Sequence, residues 1–539
     1  MKYIEIKDLN YYYPDTKEKA LDNINISVES GDIVLVLGES GSGKSTLGKC
    51  ISGAIPNFYG GNISGSIIIG GKPLNDMEHN ERSREITMVF QDPERQLLMN
   101  KVHREVAFGL ENTGVEEKKI KRRVFEAMQF SNILSLANRN IDTLSGGQKQ
   151  KVAVASAISY LPKCIILDEP TSQLDPTSSE EIVSLVKKIN EEMGVTIIVI
   201  EQRVEKWFNA ADKIFIMKQG RKVFYGNKMD MYREKNEYIT SFLPSYLKLC
   251  KSLNISEVPQ NLKEARKRLK SFKYERKVSK EHNLNEVIKI NIKKLYYSYE
   301  KEEALRGINL SVRDGDFISI LGPNGAGKST FLKSIMGLIK YKGSIEIDKK
   351  EVKKQALKDL AKTVGYVSQN PNDYISKDTV YEEVKFTLDN YRIIDEGIIE
   401  ETLRTLDLYK IKDKNPRDIS GGERQRLAIA SILVLKPKIL LLDEPTRGID
   451  NKIKGSLGKA LRKLNEGGTT ILMVTHDIEF AAEYGSSFLL MFNGEIVAQG
   501  SKEEVLSEGI YYTTTINKLI RDKNNNIFTL KDIMNFTEI

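Results

Sequence analysis

GESGSGKST, running from Gly38 to Thr46, directly follows the apolar run IVLVL (Ile33–Leu37). An unbroken apolar run ending at glycine is expected to be a buried parallel strand. In the G-x-x-x-x-G-K-S/T spacing, the glycines let backbone N–H groups turn inward around a phosphate where a Cβ would obstruct the turn. Lys44 is then expected to reach the β and γ phosphates, and Ser45 to offer its hydroxyl to Mg²⁺. The helix that begins there adds its positive dipole end. A second copy, GPNGAGKST (Gly322–Thr330), follows FISIL (Phe317–Leu321), with Lys328 and Ser329 in the same places. Two matches, each after an apolar strand, exclude a chance glycine turn.

Each loop is followed in the same order by a serine-glycine turn and an acid-ended strand. LSGGQ (Leu144–Gln148) and IILDEP (Ile165–Pro170) are answered by ISGGE and LLLDEP. Lys44 recurs as Lys328, Ser145 as Ser420 and Asp168 as Asp443, at offsets of 284, 275 and 275 residues. One long repeat therefore covers most of the chain. Apolar strands alternating with amphipathic runs such as Gln148–Tyr160 imply an α/β sheet with helices on its faces. Each half closes on a glycine pair, GRKVFYG (Gly220–Gly226) and GEIVAQG (Gly494–Gly500), expected as a hairpin and strand. The expected domains are residues 1–245 and 287–515, joined by a basic, polar, partly helical linker (246–286) and followed by a polar tail (516–539).

The acids give the loops their chemistry. Four apolar residues lift Asp168 and Asp443 to a strand's carboxyl end, where a carboxylate can hold the same Mg²⁺. Glu169 and Glu444 are expected to point elsewhere, because strand side chains alternate, and to polarise water against the γ phosphate. An Asp-Glu pair alone is a solvated strand end. The upstream phosphate loop changes that meaning.

Composition sets limits. The chain has 539 residues, too many for one core and suited to two domains of about 200–250 residues. No run approaches the ~18 apolar residues of a membrane span, so the chain is expected to be cytosolic. Cys50, Cys164 and Cys250 lie far apart and match neither a zinc site nor a disulfide framework. The net charge of +8 concentrates in Asn261–Lys280. That run lies between the repeats and contains no glycine, so a solvated linker is expected rather than a nucleic-acid surface.

LSGGQ and ISGGE, placed after the phosphate loops, resemble the signature of the ABC ATPases. The resemblance implies two P-loop ABC nucleotide-binding domains in one chain, each a RecA-like, mainly parallel sheet with an antiparallel β subdomain and a helical signature subdomain. It implies ATP and Mg²⁺ as cofactors and ATP hydrolysis as the activity. In that family two domains meet head to tail, ATP being sandwiched between one phosphate loop and the other domain's signature. The ATP-binding residues so implied are Tyr13, Gly38, Glu39, Ser40, Gly41, Ser42, Gly43, Lys44, Ser45, Thr46, Gln91, Ser145, Gly146, Gly147 and Gln148 in the first half. In the second they are Tyr299, Gly322, Pro323, Asn324, Gly325, Ala326, Gly327, Lys328, Ser329, Thr330, Gln369, Ser420, Gly421, Gly422 and Glu423. Tyr13 and Tyr299 match the aromatic that stacks on adenine, and Gln91 and Gln369 the glutamine that touches Mg²⁺ beside Ser45, Asp168, Ser329 and Asp443. Asp175 and Asp450 match the D-loop acid that signals between sites, and His476 the switch histidine that holds the γ phosphate.

VFQDPERQLLMNKVHREVAFGLEN (Val89–Asn112) further resembles the ATPases of energy-coupling-factor (ECF) importers, which power uptake of vitamins, thiamine precursors or cobalt and nickel ions. That implies a transmembrane coupling subunit and a membrane-embedded substrate-binding subunit as partners, no direct contact with cargo, and a place on the cytoplasmic face of the cell membrane. Gln96 falls where the subfamily carries a second glutamine, opening a short helix beside the coupling surface. Tyr374 takes that place in the second copy, so the halves are expected to present unlike surfaces to the membrane partner. Gln202 stands opposite His476, with Glu201 and Arg203 around it. Glutamine gives a neutral hydrogen bond and cannot become cationic, so the Lys44 site is expected to hydrolyse about ten-fold more slowly. Two neighbouring functions fit less well. Ribosome-acting F-class ABC proteins typically read DEPTNHLD where this chain reads DEPTSQLD and DEPTRGID, and VFQDPERQ fits the energy-coupling group better than the tandem sugar-importer ATPases, the nearer alternative.

Overall fold

The computed structural model describes residues 2–172, 174–276, 287–300 and 302–538. It divides into two units, Met1–Asn261 and Leu262–Ile539. The first contains β1 (Lys2–Tyr12), β2 (Leu21–Glu29), β3 (Ile33–Gly38), β4 (Asn62–Ile69), β5 (Lys72–Pro73), β6 (Ile86–Val89), β7 (Cys164–Asp168), β8 (Thr196–Ile200), β9 (Lys213–Lys218) and β10 (Arg221–Gly226). Among the described residues they form an antiparallel sheet ordered β2-β1-β4-β5 and a sheet ordered β10-β9-β3-β8-β7-β6. In the larger sheet β9-β3-β8-β7-β6 run parallel, and only β10 turns back as a hairpin. Every residue of β3, β7 and β8 is buried, which is why these strands read as continuous apolar runs rather than alternating ones. The antiparallel sheet, the helix Lys44–Ile51 and one face of the parallel sheet share a core that includes Ile4, Tyr11, Leu47, Cys50 and Phe215.

The second unit repeats this plan. It contains β11 (Phe272–Arg276), β12 (Ile288–Tyr299), β13 (Glu302–Arg313), β14 (Phe317–Leu321), β15 (Lys342–Ile347), β16 (Lys350–Glu351), β17 (Val364–Val367), β18 (Ile439–Asp443), β19 (Thr470–Val474), β20 (Ser487–Phe492), β21 (Glu495–Ser501) and β22 (Ile533–Glu538). The sheets run β13-β12-β15-β16 and β17-β18-β19-β14-β20-β21. The expected α/β class and the closing hairpins are present in both units.

The expected boundaries need correction. Residues 246–261 do not form a spacer: Tyr246, Leu247, Leu249, Cys250, Leu253 and Val258 are buried, and the segment belongs to the first unit. The helix Leu262–Leu269 and β11 belong to the second, where β11 pairs antiparallel with β22 from the expected tail. That tail also buries Ile516, Leu519, Ile520, Ile527 and Phe528. The physical reason is that charged residues on one face of a short element hide an apolar face on the other, as Ala265 and Leu269 show beneath Lys263, Arg266 and Lys267. Residues 277–286, the remainder of the expected linker, lie outside the described residues. The three cysteines are free and buried.

Candidate functional site

Each phosphate loop is a left-handed turn between a buried strand and a helix. Gly43 and Gly327, the N-caps of Lys44–Ile51 and Lys328–Ile335, have φ of 95° and 91°. A Cβ on Gly43 would lie 2.6 Å from the Ala20 carbonyl oxygen, so glycine is required by space as well as by conformation. Lys44 Nζ donates to the carbonyls of Gly38 (2.9 Å) and Glu39 (2.8 Å), and Lys328 Nζ to those of Gly322 (2.8 Å) and Pro323 (2.7 Å). Both ammonium groups thus sit over the mouth of the loop.

Parallel register brings the acids to these loops. Asp168 is level with Ile200 across β7 and β8, and Asp443 with Val474 across β18 and β19. Ser45 Oγ donates to Asp168 Oδ1 at 2.9 Å, and Ser329 hydrogen-bonds the Asp443 carboxylate. Asp443 Oδ1 is buried with no hydrogen-bond partner among the described residues. One serine hydroxyl and one carboxylate fit a Mg²⁺ ion, which keeps few protein ligands and takes the rest from substrate phosphates and water. No cluster of three or more His, Cys, Asp or Glu residues that could hold a metal occurs among the described residues. Burial pushes the Asp168 carboxyl up to about 6 and raises that of Asp443. A bound divalent cation reverses such shifts.

Glu169 and Glu444 turn away from the metal side, but not through strand alternation. Each lies one residue past its strand with a left-handed φ of 48° or 54°. Such φ values are unfavourable for a non-glycine side chain, and here each glutamate's own backbone N–H anchors the turn: Glu169 N–H donates to the Ile200 carbonyl at 2.8 Å, and Glu444 N–H to that of Val474 at 2.9 Å. In the first unit Gln91 Nε2 donates to Glu169 Oε2 and Gln202 Nε2 to Oε1, both at 2.6 Å. Gln91 therefore meets the glutamate rather than Ser45 and Asp168. Burial, then the Glu201 and Asp168 carboxylates, push the Glu169 carboxyl up to about 7. In the second unit His476 Nε2 lies 3.3 Å from Glu444 Oε1 and 2.9 Å from Asn324 Oδ1 of the loop. Gln369, Asp443, Glu444, His476, Tyr299 and the loop from Asn324 to Thr330 line one cavity of about 410 Å³.

The remaining expected residues divide into those at the cavity and those elsewhere. The Tyr13 hydroxyl meets Thr46 Oγ1 at 2.9 Å and that of Tyr299 meets Thr330 Oγ1 at 3.4 Å, which sets each ring beside the end of its loop. Ser145 and Ser420 cap the helices Gly146–Ser159 and Gly421–Leu433, forming capping boxes with Gln148 and Glu423. Asp175 and Asp450 cap Pro176–Met193 and Asn451–Glu466 by accepting the Ser178 and Ile453 N–H groups. Gln96 closes the short helix Pro93–Gln96 instead of opening it. Its side chain turns inward, accepting the Phe90 N–H at 2.9 Å and donating to the Met88 carbonyl at 3.4 Å. Tyr374 does the same work with its hydroxyl, accepting the Ser368 N–H at 2.7 Å and donating to the Tyr366 carbonyl at 3.0 Å. The two unlike residues thus brace the strand end before Gln91 and Gln369 in the same way, six and eight residues back.

Pattern alone did not reveal the residues behind the site. Glu205 and Glu479, each three residues past the switch position, accept the backbone N–H of Ser245 (2.7 Å) and Thr515 (2.8 Å), tying that turn to a C-terminal helix in both units. Their equal spacing from Gln202 and His476 was the available signal.

Comparison with known proteins gives the family. Residues 21–172 and 305–447 each match the ABC transporter family model. A Bacillus anthracis chain, named provisionally as an ABC transporter ATP-binding protein, is 37% identical over 540 residues, spanning 98% of both chains. Among solved structures, cbiO1 from Clostridium perfringens, part of the ABC transporter complex cbiONQ, matches 47% of this chain and 100% of its own at 33% identity and a TM-score of 0.40. A chain in the complex of archaeal ribosomal stalk protein aP1 with archaeal ribosome recycling factor aABCE1 covers 92% of this chain and 90% of its own at 24% identity and a TM-score of 0.59, a likeness of fold.

Proposed function

The chain belongs to the ABC transporter family and is an ATPase, and from that premise we propose that it is the energising subunit of a membrane importer of the energy-coupling-factor type. The carrying observation is that one chain holds two complete sets of phosphate loop, Mg²⁺-facing acid, adjacent glutamate and signature turn. Bound Mg²⁺ would be held by Ser45 and Asp168, and by Ser329 and Asp443, supplying charge neutralisation to the phosphates. Lys44 and Lys328 hold phosphate oxygens. Glu169 and Glu444 orient water and accept its proton at a carboxylate oxygen. ATP-driven pairing of the halves, each signature meeting the other's loop, would couple to a transmembrane subunit, with cargo selected by a separate membrane-embedded subunit. VFQDPERQ supports the importer type. Among the described residues no helix is long and apolar enough to cross a membrane.

The halves are also proposed to differ in rate. Gln202 offers Glu169 a neutral amide where His476 offers Glu444 an imidazole, which supports a slower Lys44 site. The importer reading is tested by isolating the chain from detergent-solubilised membranes of its own cells. Integral membrane proteins that stay bound and stimulate ATP turnover are expected. Salt-sensitive co-sedimentation with ribosomes in their place overturns the reading.

A further inference from the structure

Behind Gln202 lies a carboxylate that the chemistry above leaves unused. Glu201, one residue past β8, has no exposed surface. Its Oε2 accepts both the hydroxyl and the N–H of Thr171, and its Oε1 accepts the Gln202 N–H at 2.9 Å. Trp207, itself buried, donates its indole N–H to Thr171 Oγ1 at 3.0 Å. Thr171 stands two residues after Glu169. The carboxylate therefore joins the turn that carries the general base to the turn that carries Gln202.

Among the described residues, the second unit joins the same two turns without a carboxylate. Thr475 stands where Glu201 does and Ala481 where Trp207 does. Thr475 Oγ1 meets Thr446 Oγ1 at 3.3 Å and accepts the Asp477 N–H at 3.0 Å, a neutral arrangement. Charge-assisted hydrogen bonds are roughly twice as strong as neutral ones, and a buried carboxylate is retained only where donors surround it. A buried charge linking two catalytic turns in one half alone is a costly feature with a local purpose.

We propose that Glu201 is a positioning residue of the first unit's ATPase site: it clamps the Thr171 and Gln202 turns together, so that the Gln202 amide is held on Glu169. The weaker ligand at the switch position is compensated by a rigid mount. This rests on the proposal that the Lys44 site is the slower of two working sites.

The test uses the full chain. Glu201→Thr installs the second unit's residue, and Glu201→Gln keeps the shape without the charge. Trp207 is the one tryptophan in the sequence, so its emission reads the clamp directly without turnover. In nucleotide-free protein, Glu201→Thr is expected to shift that emission to the red and to increase its quenching by acrylamide. In a Glu444→Gln background, where turnover reports the Lys44 site, kcat is expected to fall about ten-fold with KM for ATP unchanged, and Glu201→Gln to recover part of that loss. Tryptophan emission, quenching and kcat all unchanged in Glu201→Thr would overturn the proposal, as would a loss of melting temperature without any change in kcat. If Glu201→Thr does not fold, unchanged kcat and emission in Glu201→Gln overturn it equally. Failure of the unequal-site reading shows elsewhere, as equal losses from Glu169→Gln and Glu444→Gln with Glu201 intact.

Discussion

At the residue scale, the two halves differ most where a single side chain meets the glutamate proposed as general base. Glu169 is gripped by two amides at 2.6 Å, whereas Glu444 has His476 at 3.3 Å and the cavity beyond. An imidazole can carry charge into the transition state and an amide cannot, a difference of about 1–2 kcal/mol or roughly ten-fold in rate. Steady-state turnover of the assembled complex should therefore fall much further in Glu444→Gln than in Glu169→Gln. Gln202→His in the Glu444→Gln background should raise kcat by about ten-fold. Equal losses from the two glutamate changes would remove the basis for unequal sites. The contrast between Gln202 and His476 was legible in the sequence because strands β8 and β19 align without a gap. The role of Gln96 was not: glutamine and tyrosine look unlike on the page, yet both reach the same N–H and carbonyl, and only the folded backbone shows that hydrogen-bonding groups rather than shapes were kept.

At the element scale, the strand-loop-helix unit rests on glycines that nothing else can replace. Gly43 and Gly327 adopt φ above 90°, and a Cβ on Gly327 would press on the Ala304 carbonyl. Gly43→Ala or Gly327→Ala should cost about 1–2 kcal/mol in backbone strain, and more where the carbonyl cannot yield. The expected outcome is a lowered melting temperature together with loss of ATP protection of that unit against heating. Unchanged ATP protection in both variants would show that the cradle tolerates a side chain. The loop was legible because its demand is local: glycine spacing and the strand before it are both written in consecutive residues. The left-handed turn at Glu169 and Glu444 was not, since side-chain alternation predicts only that the glutamate faces away from the aspartate. The neighbouring strand's carbonyl is what holds the turn.

At the scale of the whole molecule, the sequence repeat shows two domains but misplaces their edges. Leu247, Leu249, Cys250 and Leu253 are buried in the first unit, and β11 pairs with β22 in the second. A fragment of residues 1–261 should therefore unfold cooperatively, whereas 1–245 should melt at lower temperature or aggregate. Likewise 262–539 should be more stable than 287–515. Calorimetry of the four fragments checks this, and equal melting of the long and short versions would restore the narrower domains. What the sequence determined by itself is the class of fold and the place of each motif within it, because glycine spacing, apolar runs and the acid at a strand's end are local demands repeated twice. What only the tertiary structure decided is which distant groups stand behind those motifs: Glu201 beneath Thr171 and Trp207, Glu205 on Ser245, the tail strand on the supposed linker. Those contacts are set by sheet register and by the burial of one face of a short charged segment, and neither quantity exists until the chain has folded.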